Sequence, residues 1–152
     1  MAVAPIPAGY HSVTPYLIVD GAARAIEFYK KAFGAEELLR LPMPGGRIAH
    51  AEVKIGDSPV MLADETDQYG GPQSGERGPI SLMIYVKDVD RIFAQALAAG
   101  AKEERPVADQ FYGDRTGTLV DPFGHVWSIA THVEDVAPDE IDRRFAKLTA
   151  GG

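Results

Sequence analysis

The chain has no cysteine. Disulfides, thiol nucleophiles and thiolate metal ligands are therefore excluded. Their absence is compatible with the cytoplasm, where we expect the protein to work. No apolar run approaches the about 20 residues of a membrane span; the longest candidate, Ile80 to Val86, has strand length. There is no basic surplus either. Fifteen Lys and Arg face 22 Asp and Glu, for a net charge of −7. The basic residues are scattered, with no run longer than Lys30-Lys31 or Arg143-Arg144. A phosphate-backbone binder needs a basic patch, so no nucleic-acid partner is expected. The segment Met1 to Gly9 carries no positive charge and is broken by Pro5, Pro7 and Gly9, so no secretory signal is expected. His-Glu-x-x-His is absent. Gly70-Gly71-Pro72-Gln73-Ser74-Gly75 has no Gly-Lys-Ser/Thr after it and contains no Gly-x-Ser-x-Gly, so it reads as a linker or a lid.

What is present is a core and a repeat. Hydrophobic residues make up 45% of 152, and a chain this size can bury about 68–70% of its unfolded surface. One domain over 1–152 is expected. Val19-Asp20-Gly21-Ala22-Ala23-Arg24 opens a helical pattern that stops at Phe33-Gly34-Ala35. Val86-Lys87-Asp88-Val89-Asp90-Arg91 opens a second, which stops at Ala99-Gly100-Ala101. The copies are offset by 67 residues where the helices start and 66 where they end, as if one residue were deleted from the second helix. Ala22, Ala25, Ile26, Tyr29 and Phe33 share one helical face, as do Val89, Ile92, Phe93, Ala96 and Leu97. Gly34 and Gly100 mark left-handed helix ends.

Strand patterns surround both helices. Thr14–Val19 precedes the first; Glu36–Leu41, Ile48–Ile55 and Pro59–Ala63 follow it. Ile80–Val86 precedes the second; Lys102–Val107, Gly117–Val120 and Val126–Thr131 follow it. This is α+β: two βαβββ modules, about 12–64 and 79–131, joined by a linker at 65–78 and followed by a helical tail at 138–148. Pseudo-two-fold pairing of the modules predicts a cupped mixed sheet with helices on its convex side. Alternation sends Leu17, Val19, Ala49, Ala51, Val53, Ile55, Leu82, Ile84, Val86, Trp127 and Ile129 toward the helices. Tyr16, His50, Glu52, Met83, Tyr85 and Ser128 then line one concave pocket, with Arg115 at its mouth.

Ile26-Glu27-Phe28-Tyr29 in the first helix and Asp121-Pro122-Phe123-Gly124 before the last strand complete a pattern that resembles the vicinal oxygen chelate superfamily. That superfamily includes glyoxalase I, bleomycin resistance proteins and extradiol dioxygenases. Pro15-Tyr16-Leu17, Phe33-Gly34, Tyr112-Gly113-Asp114-Arg115 and His125-Val126-Trp127 point to its PhnB-like branch. The resemblance covers about residues 12–131. It implies metal ligands at one inward position on the first and last strand of each module. The matching positions here hold Thr14, a residue near Leu62 or Asp64, Ser81 and Ser128. Neutral hydroxyls are poor ligands for a divalent ion. No metal cofactor is expected at the usual place.

The remaining candidates keep two readings each. His50 and Glu52, two apart on one strand, face the same way and could act as acid and base, or hold a metal with Asp64; they could equally be a polar pair lining a wet cavity. Arg115 could grip an anionic ligand or pair with Asp109 or Asp114. Tyr16, Met83, Tyr85, Tyr112, Arg115 and Ser128 are the candidate ligand contacts. Trp127 and Phe123 read as core, and His125 as a turn residue. The leading expectation is a protein that binds a small organic molecule in its cup without the usual metal. The alternative is a lyase, isomerase or dioxygenase-type enzyme using a relocated divalent metal or the His50–Glu52 pair. The expected partners are that small molecule and a second copy in a homodimer, with no membrane.

Overall fold

The computed structural model describes residues 3–72 and 76–151. The first module runs β1 (Tyr16–Val19), α1 (Ala22–Phe33), β2 (Glu36–Pro42), β3 (Ile48–Ile55) and β4 (Ser58–Asp64). The second runs β5 (Ser81–Tyr85), α2 (Val89–Ala99), β6 (Lys102–Asp109), β7 (Asp114–Val120) and β8 (Val126–His132), and α3 (Pro138–Ala150) follows. The one-residue loss in the repeat falls in the helix: α1 has 12 residues and α2 has 11. Residues 73–75, which include part of the linker or lid segment, lie outside the described residues, as do Met1 and Ala2 of the first segment.

The strands form two four-stranded mixed sheets, β1-β4-β3-β2 and β5-β8-β7-β6. In each, the first strand pairs parallel with the last and the other pairs are antiparallel. No hydrogen-bonded ladder joins the two sheets among the described residues. Each helix covers one face of its own sheet, and α1 and α2 pack on each other. Gln95 donates to the Ala32 carbonyl across that contact at 3.0 Å. The opposite face of each sheet, the outer face, mixes exposed Tyr16, Met83 and Tyr85 with buried Glu52, Asp114 and Ala130.

The helix ends follow the repeat. Asp64 Oδ1 accepts the Gly21 and Ala22 N–H groups at 2.7 and 2.8 Å, covering the free donors at the start of α1. Thr131, 67 residues on, accepts the Val89 N–H at 2.9 Å and does the same for α2. Gly34 closes α1 at φ 67°, and Gly100 closes α2 at φ 122°. Both values favour glycine.

Alternation predicts most of the core. Leu17, Val19, Ala51, Val53, Ile55, Trp127 and Ile129 are buried. Ala49 is a correction: the pairing slips between Leu41–His50 and Pro42–Ile48, so Ala49 is left exposed in a bulge. Ile48 is buried instead. Leu82, Ile84 and Val86 are only partly buried, because β5 is an edge strand.

The modules are joined by an aromatic cluster. Tyr29 and Phe33 of α1 lie 5.5 and 5.0 Å from the Trp127 ring, and Phe28 lies 6.2 Å from Phe123. Asp121 sits beneath them as a buried acceptor. Its Oδ2 takes the Tyr29 hydroxyl at 2.7 Å and the Trp127 indole N–H at 2.9 Å. Its Oδ1 takes the Phe123 and His125 N–H groups at 2.8 and 3.0 Å. The Asp-Pro turn is thus a structural joint. Burial, followed by the Asp121 charge, pushes the Tyr29 phenol well above its usual range. Among the described residues no helix is long and apolar enough to cross a membrane.

Candidate functional site

On the outer face of the first sheet, β1 carries Tyr16 and β3 carries His50 and Glu52. The Tyr16 hydroxyl lies 2.8 Å from His50 Nδ1, and His50 Nε2 lies 2.8 Å from Glu52 Oε2. The Tyr10 hydroxyl donates to Glu52 Oε1 from the N-terminal segment. With the imidazole proton on Nε2, the chain reads Tyr16 O–H to His50, His50 N–H to Glu52. A phenol is thereby aimed at a base that a carboxylate orients. Glu52 is 8% exposed. The Tyr10 hydroxyl bond, then the His50 bond, hold its carboxyl below the usual glutamate range despite burial. Asp64 does not join them. Its second oxygen accepts the Ile48 N–H at 2.8 Å, so it serves the backbone with both. Burial would raise the Asp64 pKa, but the backbone donors carry it below the usual range.

The outer face of the second sheet carries a different set. Tyr85 donates to Asp114 Oδ2 at 2.8 Å, and His132 bridges Asp114 and Asp135 at 2.7 Å each. Asp114, then Asp135, raise the His132 pKa. Thr118 and Ser128 share a hydroxyl contact at 3.0 Å. Tyr112 is half-buried in the turn before β7, edge-on to Phe111. Arg115 is a correction to the mouth-of-pocket placement. It makes a two-pronged contact with Asp90 of α2, at 2.9 Å on each arm, and a third to Asp109 at 3.2 Å. It is committed to the helix side, because alternation on β7 sends it the same way as Gly117 and Leu119.

The residues expected around one pocket border separate cavities. Tyr16 borders a cavity of about 830 Å³ with Ile18, Met43, Ala63 and Tyr69. It also borders a crevice of about 340 Å³ between the sheets, walled by Ile18, Pro72, Ile80, Leu82 and His125. Met83 and Tyr85 border a third of about 490 Å³, with Leu82, Ile84 and Trp127 behind them. Ser81 and Ser128 border a fourth of about 330 Å³. α1 and α2 pack on each other where the modules meet, and none of these cavities is lined by all of the expected residues.

This two-module architecture is shared. The family model of the Glyoxalase/Bleomycin resistance protein/Dioxygenase superfamily matches residues 9–129. The chain belongs to this superfamily. An uncharacterized protein of Mycobacterium bovis is 44% identical over 145 residues, covering 92% of this chain and 95% of its own. The structure of TioX from Micromonospora sp. ML1 superposes with a TM-score of 0.64 at 28% identity, over 84% of this chain and 100% of its own. A PhnB protein from Bacillus cereus superposes with a TM-score of 0.63 at 19% identity, over 80% and 99%, and speaks for the fold alone.

At the positions that the resemblance assigns to metal ligands, the side chains are hydroxyls and apolar groups. Thr14 lies just before β1, and its hydroxyl donates to the His11 carbonyl at 3.2 Å. On β4 the outward residue paired with Tyr16 is Met61, whereas Leu62 is buried in the core and Asp64 caps α1. Ser81 and Ser128 complete the set. Three hydroxyls and a thioether do not fit a divalent ion. Among the described residues no three His, Asp or Glu side chains converge to hold a metal elsewhere.

Several working residues escaped the sequence reading. Tyr10 lies in a Pro/Gly-rich stretch with no periodicity to place it. His132 was within reach, since it continues the outward set Ser128 and Ala130. His125 spans the modules, contacting the Ile18 carbonyl at 3.0 Å, and nothing in the turn signals that.

Proposed function

We propose that the protein binds a small organic molecule on its open sheet faces, in the cytoplasm and without the superfamily's usual metal. The observation that carries this is the first sheet's outer face. There the half-exposed Tyr16 ring walls a cavity of about 830 Å³ with Ile18, Met43, Ala63 and Tyr69, and its hydroxyl lies 2.8 Å from His50, which supplies apolar area together with a fixed polar group. The donor set at the metal positions supports the second half of the reading. A homodimer is part of the proposal. Tyr16, Leu39, Leu41, Met83 and Tyr85 are exposed on or beside these faces, and a second copy would cover them. The test is a thermal-shift screen of small organic molecules on the wild type and Tyr16→Ala. Ligands that stabilise the wild type and not Tyr16→Ala support it; a library that stabilises neither contradicts it.

The Tyr16–His50–Glu52 chain favours one second reading, an acid–base enzyme. In it His50 takes the Tyr16 proton as the phenol oxygen engages substrate, and Glu52 stabilises the imidazolium. Loss of turnover in both His50→Gln and Tyr16→Phe, with ligand binding retained, would select it over simple binding.

A further inference from the structure

We propose that the outer face of the second sheet binds a compact oxyanion, of phosphate or carboxylate type. This rests on the small-molecule reading above and names the chemistry of one of its faces.

The cavity of about 330 Å³ there is walled by Arg77, Ser81, Glu104, Arg105, Thr118 and Ser128. Three of these form one rung across the sheet. Arg105 on β6 is paired with Thr118 on β7, and Thr118 is paired with Ser128 on β8. Neighbouring strands lie about 4.7–4.9 Å apart, so one small ligand spans a guanidinium and two hydroxyls. The two hydroxyls are 3.0 Å apart. Each has one proton, and only one is used between them, so one O–H remains for a ligand, with that of Ser81 beside it.

Charge decides what that ligand is. Arg105 makes no hydrogen bond or ion pair among the described residues, whereas Arg40, Arg47, Arg115, Arg143 and Arg144 are all engaged with carboxylates. Arg77 is matched by Glu104, which both its Nε and its terminal nitrogen contact. The cavity therefore holds two guanidinium groups against one carboxylate, a local surplus of positive charge on a chain whose net charge is −7. The planar fork of a free arginine fits two oxygens of one anion. The equivalent rung of the first sheet is Leu39, Glu52 and Met61, which offers a carboxylate and no cation. An anion is repelled there and attracted here. Ser81 and Ser128, poor ligands for a divalent ion, are good donors to an oxyanion.

The experiment is a backbone-amide NMR titration with inorganic phosphate and, separately, acetate, at ionic strength held constant with chloride. A saturable shift at Ser81, Thr118 and Ser128 with either anion is expected. Saturation by phosphate assigns a tetrahedral group and saturation by acetate a planar one. Arg105→Gln should weaken binding at least tenfold, while Glu104→Gln, which frees Arg77, should tighten it. Shifts that do not saturate with either anion, or that Arg105→Gln leaves unchanged, overturn the proposal. If organic ligands bind at Tyr16 and no anion binds here, this inference fails alone. If an anion binds here and no organic ligand binds anywhere, the small-molecule reading fails and this site stands.

Discussion

His50 Nε2 lies 2.8 Å from Glu52 Oε2, two residues along one strand, with a tyrosine hydroxyl at the far side of each. The Tyr10 bond first, and the His50 bond second, depress the Glu52 pKa in the folded chain. A carboxyl depressed by folding adds stability above its unfolded pKa and loses it as pH falls through the folded value. Glu52→Gln should therefore be less stable than wild type at neutral pH. The gap in urea midpoint should close as pH falls below about 4.3, the ordinary glutamate value. A gap independent of pH would show that Glu52 is not held ionised by its neighbours.

Asp121 accepts four hydrogen bonds beneath the aromatic joint. Asp121→Ala strands the buried Tyr29 and Trp127 donors, at about 1–3 kcal/mol for each group left unpaired. Urea denaturation should show a loss above about 3 kcal/mol. A loss below about 1 kcal/mol would mean that the joint relaxes without this carboxylate.

Core truncations should rank by strand position. Leu62 is fully buried on β4, and Leu62→Ala should cost about 2–5 kcal/mol. Ile84 is partly buried on the edge strand and borders a cavity, so Ile84→Ala should cost less. Equal losses by chemical denaturation would contradict the edge placement.

The open faces predict self-association. Light scattering at micromolar concentration should give about twice the 16.4 kDa chain mass. A mass near 16.4 kDa would remove the dimer from the proposal.

The fold was legible because period-two and period-3.6 patterns repeat at an offset of 67. Even the deleted residue in α2 shows in the spacing. The separation of Leu17, Val53 and Trp127 from Tyr16, His50 and Tyr85 follows from alternation alone. The Ala49 bulge did not, since a bulge shifts pairing without altering composition. For Arg115 the sequence left a ligand grip and an ion pair with Asp109 or Asp114 both open; the Asp109 pair forms, while Asp90, 25 residues away on the covering helix, was not legible. Single-cup placement failed for a related reason: strand parity fixes which face a residue occupies, but not how two sheets sit on each other. Asp121 announces a turn in sequence, and only packing makes it a four-bond hub.

The most direct test of metal-independent binding is calorimetry on the first organic ligand found by screening, with and without a strong chelator. The affinity should be unchanged by chelation, unchanged by added zinc or manganese, and at least tenfold weaker in Tyr16→Ala. An affinity that collapses on chelation and returns with the metal would contradict the account.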